Sequence, residues 1–142
     1  MRKFSIAALF VCLALLVVSC GKKEVKLKTM DSKIATESFA LVEGLRAAYV
    51  KRQIPEMENY TTKKGFKGIT DVLKTFDSVD LKFTPAWVEI QDDKIFLNVS
   101  WKGRWTNAGN ITEERGMAVF EIVGRPLKIN AVLRANPFRY PE

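Results

Sequence analysis

The sequence predicts an α+β domain: helices first, then a meander of long strands, with the helices packed on a strongly bent antiparallel sheet that forms a cone. Two observations carry this. As far as Phe76 the apolar residues recur every three or four positions, and after Asp77 they alternate with polar ones. The alternating runs are joined by turns of a few residues. Parallel pairing needs a crossover of a dozen or more, so these strands must be antiparallel. Helices followed by strands is the α+β order.

The elements follow from the spacing. Asp31 and Ser32 are helix caps. Ile34, Val42, Leu45 and Tyr49, with Phe39, Leu41 and Ala48, form one apolar stripe that ends near Lys51 or Arg52, while Glu37, Glu43, Arg46 and Lys51 take the wet side. Residues 53–60 read as a short second helix with Pro55 in its first turn. A third helix follows Gly65, where Phe66, Ile69, Val72 or Leu73, and Phe76 step by three or four. Val79, Leu81 and Phe83 then alternate with polar residues, Pro85 interrupts, and residues 86–90 resume. After a turn at residues 91–94, Ile95, Leu97, Val99 and Trp101 alternate through a long strand, in which Gly103 suggests a bulge or bend. A turn at 106–110 leads to a strand over 111–123, with a second candidate bend at Gly116. After Gly124, Arg125 and Pro126, the alternating Leu127, Ile129, Ala131 and Leu133 close the set.

Ahead of the helices stands a different kind of sequence. Arg2 and Lys3 head an apolar run from Phe4 to Val18. At about fifteen residues it has the length of a signal-peptide core and falls short of the roughly twenty that span a bilayer. Val17-Val18-Ser19-Cys20 resembles a bacterial lipobox, in which cleavage precedes the cysteine and the cysteine carries lipid. The plainer alternatives are an ordinary secretory signal cut elsewhere and a retained anchor. Under the lipobox reading, residues 1–19 are a lipoprotein signal peptide, 20–31 a lipidated cysteine with a basic tether, and 32–142 the folded domain. One acyl chain holds weakly, at about 0.8 kcal/mol per methylene, and the two or three chains that lipoboxes receive make a stable anchor. Gly21 in place of aspartate implies, by resemblance to enterobacterial lipoproteins, the periplasmic side of the outer membrane rather than the inner membrane. Lys22, Lys23, Lys26 and Lys28 either attract anionic headgroups, at about 1 kcal/mol each, or simply solvate the tether, which is the blander reading.

Composition fits one domain behind that anchor. Of 142 residues, 47% are apolar, enough for a core. The net charge is +7, and Arg2 and Lys3 leave with the signal. There are two cysteines: Cys12 lies in the signal and Cys20 takes the lipid, so no disulfide is expected and stability must come from packing.

The order of elements carries a resemblance. A long amphipathic helix, a short one bearing Ile54-Pro55-Glu56, a third helix and four long strands resemble the nuclear transport factor 2-like superfamily, also called cystatin-like or SnoaL-like. Arg115-Gly116-Met117-Ala118-Val119-Phe120-Glu121, followed by Leu127-Lys128-Ile129 and Asn136-Pro137-Phe138, is similar to the last strands of its lipid-anchored bacterial members. The resemblance covers about residues 32 to 138. It implies a cone-shaped domain and leaves function open, because isomerases, dehydratases, binding modules and assembly subunits share this scaffold.

The chain has no histidine, which removes serine–histidine and cysteine–histidine triads, imidazole-bound zinc and the histidine bases of several dehydratases of this fold. Asp92 and Asp93 are paired carboxylates in a turn, where aspartate is expected on conformational grounds. An isomerase of this fold uses an aspartate base with a tyrosine and a protonated aspartic acid. Tyr49 is the candidate tyrosine, although its spacing also places it in the buried stripe. No aspartate occurs from residue 95 to 135; Glu113 and Glu121 share one strand face and Glu114 the other. Gly65-Phe66-Lys67-Gly68 has the bare form of a nucleic-acid-clamping loop, and Trp101-Lys102-Gly103-Arg104-Trp105 interleaves aromatics with cations. Export leaves no nucleic acid for either, so Trp101 is expected in the core and Trp105 at a pocket rim. Arg115 shares a strand face with Met117 and Val119. On a concave face it is a cation in an apolar pocket; on a convex face it is solvent-exposed.

The reading is therefore a membrane-anchored lipoprotein of the cell envelope that binds, without metal or cofactor, either a small apolar or amphipathic ligand or a protein partner. Tyr49, Trp101, Trp105 and Arg115 are the ligand-binding candidates, Cys20 holds membrane lipid, and the sheet offers a surface for a homodimer. The alternative is a non-metal isomerase or dehydratase built on carboxylate and tyrosine. A polar cluster converging in a deep pocket favours the enzyme, and a pocket filled by the protein's own aromatics favours a partner-binding or structural role.

Overall fold

A computed structural model describes residues 30–141. The expected signal peptide, Cys20 and the tether as far as residue 29 lie outside the described residues. The first helix, α1 (Met30–Val50), buries Val42, Leu45, Ala48 and Tyr49 along the expected stripe, together with Ser38, whose hydroxyl has no hydrogen-bond partner among the described residues. It stops as the spacing predicts. Arg52 takes a left-handed φ of 58°, its N–H donates to the Tyr49 carbonyl, and the Gln53 N–H donates to the Ala48 carbonyl. This is a Schellman ending with arginine where glycine is usual. The Arg52 guanidinium also donates to the Phe76 carbonyl at 3.1 Å.

Helix α2 (Ile54–Met57) starts with Pro55 in its first turn and runs into a 3₁₀ turn (Glu58–Tyr60). Helix α3 (Lys63–Thr70) is capped by Thr62, whose hydroxyl accepts from the Gly65 N–H at 3.0 Å and donates to the Asn130 side-chain oxygen at 2.9 Å. Two expectations change here. The run from Gly65 to Gly68 lies inside α3 and is not a clamping loop. The helix ends at Thr70, so Val72, Leu73 and Phe76 belong to the connection that follows. Gly65 is where α3 meets the sheet: a Cβ there would stand 2.2 Å from the Ile129 carbonyl oxygen, so only glycine permits this approach.

Strands β1 (Ser78–Gln91), β2 (Lys94–Asn107), β3 (Asn110–Val123) and β4 (Lys128–Arg134) form one open antiparallel sheet in sequence order. Ala108 and Gly109 close the β2–β3 hairpin with positive φ at both positions, as a two-residue type I′ turn requires. The glycines inside β2 and β3 introduce no bulge, since Gly103 and Gly116 both keep regular pairs. They make room instead. A Cβ on Gly103 would lie 2.2 Å from the Trp105 indole, and one on Gly116 would lie 2.8 Å from the Ala135 side chain and 3.1 Å from the Trp101 indole. The register shifts fall elsewhere, at Ala86 between Pro85 and Trp87, and opposite the Glu121–Ile122 step, where β4 has Asn130 unpaired.

That second bulge overturns the simple alternation expected of the last strand. Ile129 is paired with Ile122 and is fully buried, whereas Ala131 and Leu133 pair with Glu121 and Val119 on the opposite face. One sheet face carries Leu81, Leu97, Val99, Trp101, Trp105, Ala118, Phe120 and Ile122, packed with the helix residues Val42, Leu45, Tyr49, Met57 and Ile69 into one core. The other face has no helix over it among the described residues.

Candidate functional site

The candidate ligand-binding residues are divided between those two faces. Tyr49, Trp101 and Trp105 meet inside. Trp105 is 0% exposed, and its indole N–H donates to the Tyr49 hydroxyl, itself 1% exposed, at 3.1 Å. The Trp101 ring stands edge-on to Trp105 at 6.3 Å between centroids, and its N–H donates to the Ala135 carbonyl at 3.0 Å. Both indole donors are thus satisfied by protein, as buried polar groups require. Burial pushes the Tyr49 hydroxyl up to about 12, against the opposing pull of the Trp105 hydrogen bond.

The interior is completed by a segment that the pattern reading did not assign to it. After β4 the chain turns at Asn136, whose side-chain oxygen accepts from the Phe138 N–H, and inserts Phe138 into the core. Phe138 lies 5.1 Å from Tyr49, 6.2 Å from Phe83 and 6.3 Å from Phe120, in each case edge-on, and Tyr140 covers Trp105 at 6.5 Å. Trp105 is therefore at the centre of the core and not at a rim. The only signal for Phe138 in the sequence is an aromatic beyond the last alternating strand, which gives no direction for its side chain.

Arg115 is exposed and lies on the face away from the helices, with Met117 and Val119. The ladder sets seven rows across this face, the first of Ser78, Thr106 and Ile111. Asp80, Arg104 and Glu113 form the second. Lys82, Lys102 and Arg115 form the next, a line of three cations. Thr84, Ser100 and Met117 follow, then the apolar row Trp87, Asn98, Val119 and Leu133. Glu89, Phe96, Glu121 and Ala131 come next, and Gln91, Lys94, Val123 and Lys128 end the face. Within it, Arg104 stands 3.6 Å from Glu113 and Lys82 stands 3.5 Å from Asp80. Glu121 is held below the usual carboxylate range, first by the hydrogen bond from Asn130 and then by Lys94, against partial burial. Trp87 is 52% exposed, and Ile111 and Leu133 are also exposed.

A groove of about 320 Å³ opens at the end of α1, lined by Tyr49, Ile54, Leu73 and Phe76, with Arg52 and Lys74 at its edge. Among the described residues no group of three or more histidine, cysteine, aspartate or glutamate side chains is placed to hold a metal ion, and no helix is long and apolar enough to cross a membrane. No protein-family model matches the chain, and no curated protein matches it.

Proposed function

We propose that this chain is a lipid-tethered protein-interaction module of the bacterial cell envelope, with the nuclear transport factor 2-like fold. Its open sheet face docks a protein surface that carries an apolar strip beside acidic groups. The carrying observation is the contrast between a filled interior and an open face. Tyr49, Trp105, Phe120 and Phe138 occupy the space between helices and sheet, so a ligand there would have to displace several aromatic rings. A sheet bent strongly into a cone belongs to the same proposal, with these rings as its filling. The outer face offers Trp87, Met117 and Leu133 beside the cation line of Lys82, Lys102 and Arg115, an apolar strip with a charged rim, as interfaces have. Anchoring through Cys20 on the periplasmic side of the outer membrane would hold that face near envelope proteins. The test is a photo-cross-linker placed in living cells at Ser100, in the middle of the face, and at Lys63 on α3 as control. Adducts from Ser100 alone are expected; equal silence at both sites would sink the proposal. Cys20→Ala should abolish labelling by a palmitate analogue, and equal labelling of both forms would remove the anchor.

The groove at the end of α1 favours a second reading. Its apolar walls and two edge cations suit an amphipathic acid, which calorimetry with a medium-chain fatty acid would detect. The isomerase alternative fits the geometry less well, since the Tyr49 hydroxyl is buried and tied to Trp105.

A further inference from the structure

We propose that the cleft at the C-terminal end of β4 is a binding site for a small zwitterion, an α-amino acid. It is separate from the sheet face that carries Arg115 and from the groove at the end of α1. The cleft has a volume of about 420 Å³ and is lined by Glu114, Arg134, Asn136, Arg139 and Tyr140. That size suits a small molecule. Its charged groups are of both signs. Glu114 and Arg134 are exposed, yet neither side chain makes an ion pair or a hydrogen bond among the described residues. The Tyr140 hydroxyl likewise makes none, while its ring is fixed over Trp105 at 6.5 Å. Opposite charges that border one cleft without closing on each other leave both to a ligand. A carboxylate fits the guanidinium fork of Arg134, with Arg139 beside it, and an ammonium fits Glu114.

The backbone at Arg134 supplies an independent reason. Its φ is 64°, in the left-handed region where glycine or asparagine is usual. The residue after it holds it there. The Ala135 N–H donates to the Met117 carbonyl at 3.2 Å, and the Ala135 carbonyl accepts from the Trp101 indole at 3.0 Å. Arg52 shows what such an arginine can be for. It has the same left-handed backbone, and its guanidinium holds the Phe76 carbonyl. Arg134 carries a comparable strain with no partner for its guanidinium among the described residues, so the head group is left for something outside the chain.

Charge and location narrow the ligand. A plain anion would be attracted by the arginines and repelled by Glu114, and a plain amine would meet the reverse. A zwitterion satisfies both, and the Tyr140 hydroxyl can donate to its carboxylate or accept from its ammonium. The first turns of α1 lie beside the β1–β2 and β3–β4 turns, since Ile34, Asp92 and Gly124 border one groove. Glu114 precedes Val123, at that end of β3, by about 30 Å of strand. The cleft therefore opens at the end of the sheet remote from Met30, the side from which the chain leads back to Cys20. This placement favours a ligand free in water over a head group of the membrane that holds the anchor.

The test uses the full chain extracted in mild detergent and titrated by calorimetry with glycine, glutamine, leucine and phenylalanine. At least one is expected to bind with a Kd below about 1 mM. Its N-acetyl derivative, which lacks the ammonium, and its amide, which lacks the carboxylate, should each bind roughly tenfold more weakly, as loss of a charge-assisted hydrogen bond does. Arg134→Gln should weaken the amino acid and its N-acetyl derivative alike, by roughly tenfold. Glu114→Gln should weaken the amino acid by roughly tenfold and leave the N-acetyl derivative unchanged. Both side chains are exposed, so circular dichroism should be unchanged throughout. Arg134→Gly should lose binding as Arg134→Gln does and yet raise the melting temperature by about 2–4 °C, because glycine accepts the left-handed backbone without strain. No binding of any of the four at about 10 mM would overturn the proposal, as would an amide that binds as tightly as its acid or an Arg134→Gly chain that binds like the parent. Acetate bound as tightly as the amino acid, and more tightly still by Glu114→Gln, would make this a plain anion site and overturn the zwitterion.

Discussion

Trp105 and Trp87 stand on neighbouring strands of one sheet and point to opposite sides. Trp105 is fully buried, gives its N–H to Tyr49, and has Gly103 beside it to clear the space its ring fills. Trp87 follows a bulge, is half in water, and has rows of charge within two steps along the ladder. The inner face is specified by fit, with an aromatic, a clearance glycine and a hydrogen-bond acceptor for each indole. The outer face is specified by pattern, with cations, polar residues, an apolar band and acids in successive rows. Fit makes a core that tolerates little change. Pattern makes a surface that changes little in stability and much in association.

That difference can be broken most severely at Trp105. Trp105→Ala should cost about 3–5 kcal/mol in urea unfolding of a soluble fragment beginning at residue 30, whereas Trp87→Ala should change the stability of the monomer by less than about 1 kcal/mol. Similar losses at the two positions would erase the contrast. Gly103→Ala should cost about 1–3 kcal/mol by forcing the Trp105 ring aside, without altering strand pairing in hydrogen exchange. A neutral result would mean that the ring has another place to go.

Tyr49→Phe should cost about 1–2 kcal/mol, because it leaves the buried Trp105 N–H without an acceptor. It also carries a pH signature. The folded state holds the Tyr49 proton up to about pH 12, against an ordinary value of 10 for the unfolded chain. The stabilisation is therefore complete below pH 10 and declines as pH rises from 10 toward 12. The parent should lose stability across that window by more than Tyr49→Phe does, and parallel curves would detach the hydroxyl from the core. The smallest effect belongs to Gly68, which sits in α3 with open space where a Cβ would be. Gly68→Ala should raise stability by about 0.5–1 kcal/mol, the helix-propensity difference, as a small rise in melting temperature. A loss there would mean that the exposed side of α3 is not free.

Much of the inner face was legible because period and burial are tied together. The stripe through Val42, Leu45 and Tyr49 and the alternation through Leu97, Val99 and Trp101 are enforced locally: every third or fourth residue of a helix, and every second residue of a strand, faces one way. The end of α1 was readable for the same reason. The errors arose where one residue is added or where space is shared between distant residues. The bulge at Asn130 turns Ala131 and Leu133 outward, and nothing in the run from Leu127 to Leu133 marks it. Gly103 and Gly116 read as candidate bulges because a glycine in a strand has several uses, and only the position of the neighbouring tryptophan reveals that it clears space.

The sequence alone determined the class of domain, the order and type of its elements, the antiparallel pairing of its strands and most of the side chains in its core. These depend on periodicity and on loops too short for any other connection. The tertiary structure alone decided that Phe138 fills the interior, that Trp105 lies at the centre of the core, and that Arg115 faces outward beside Lys102 and Lys82. The last of these shows the physical reason. Those three cations are separated by twenty and thirteen positions in the chain, and their alignment depends on the register of three strands, including where each turn begins. A shift of one residue in any strand would turn its cation to the opposite face.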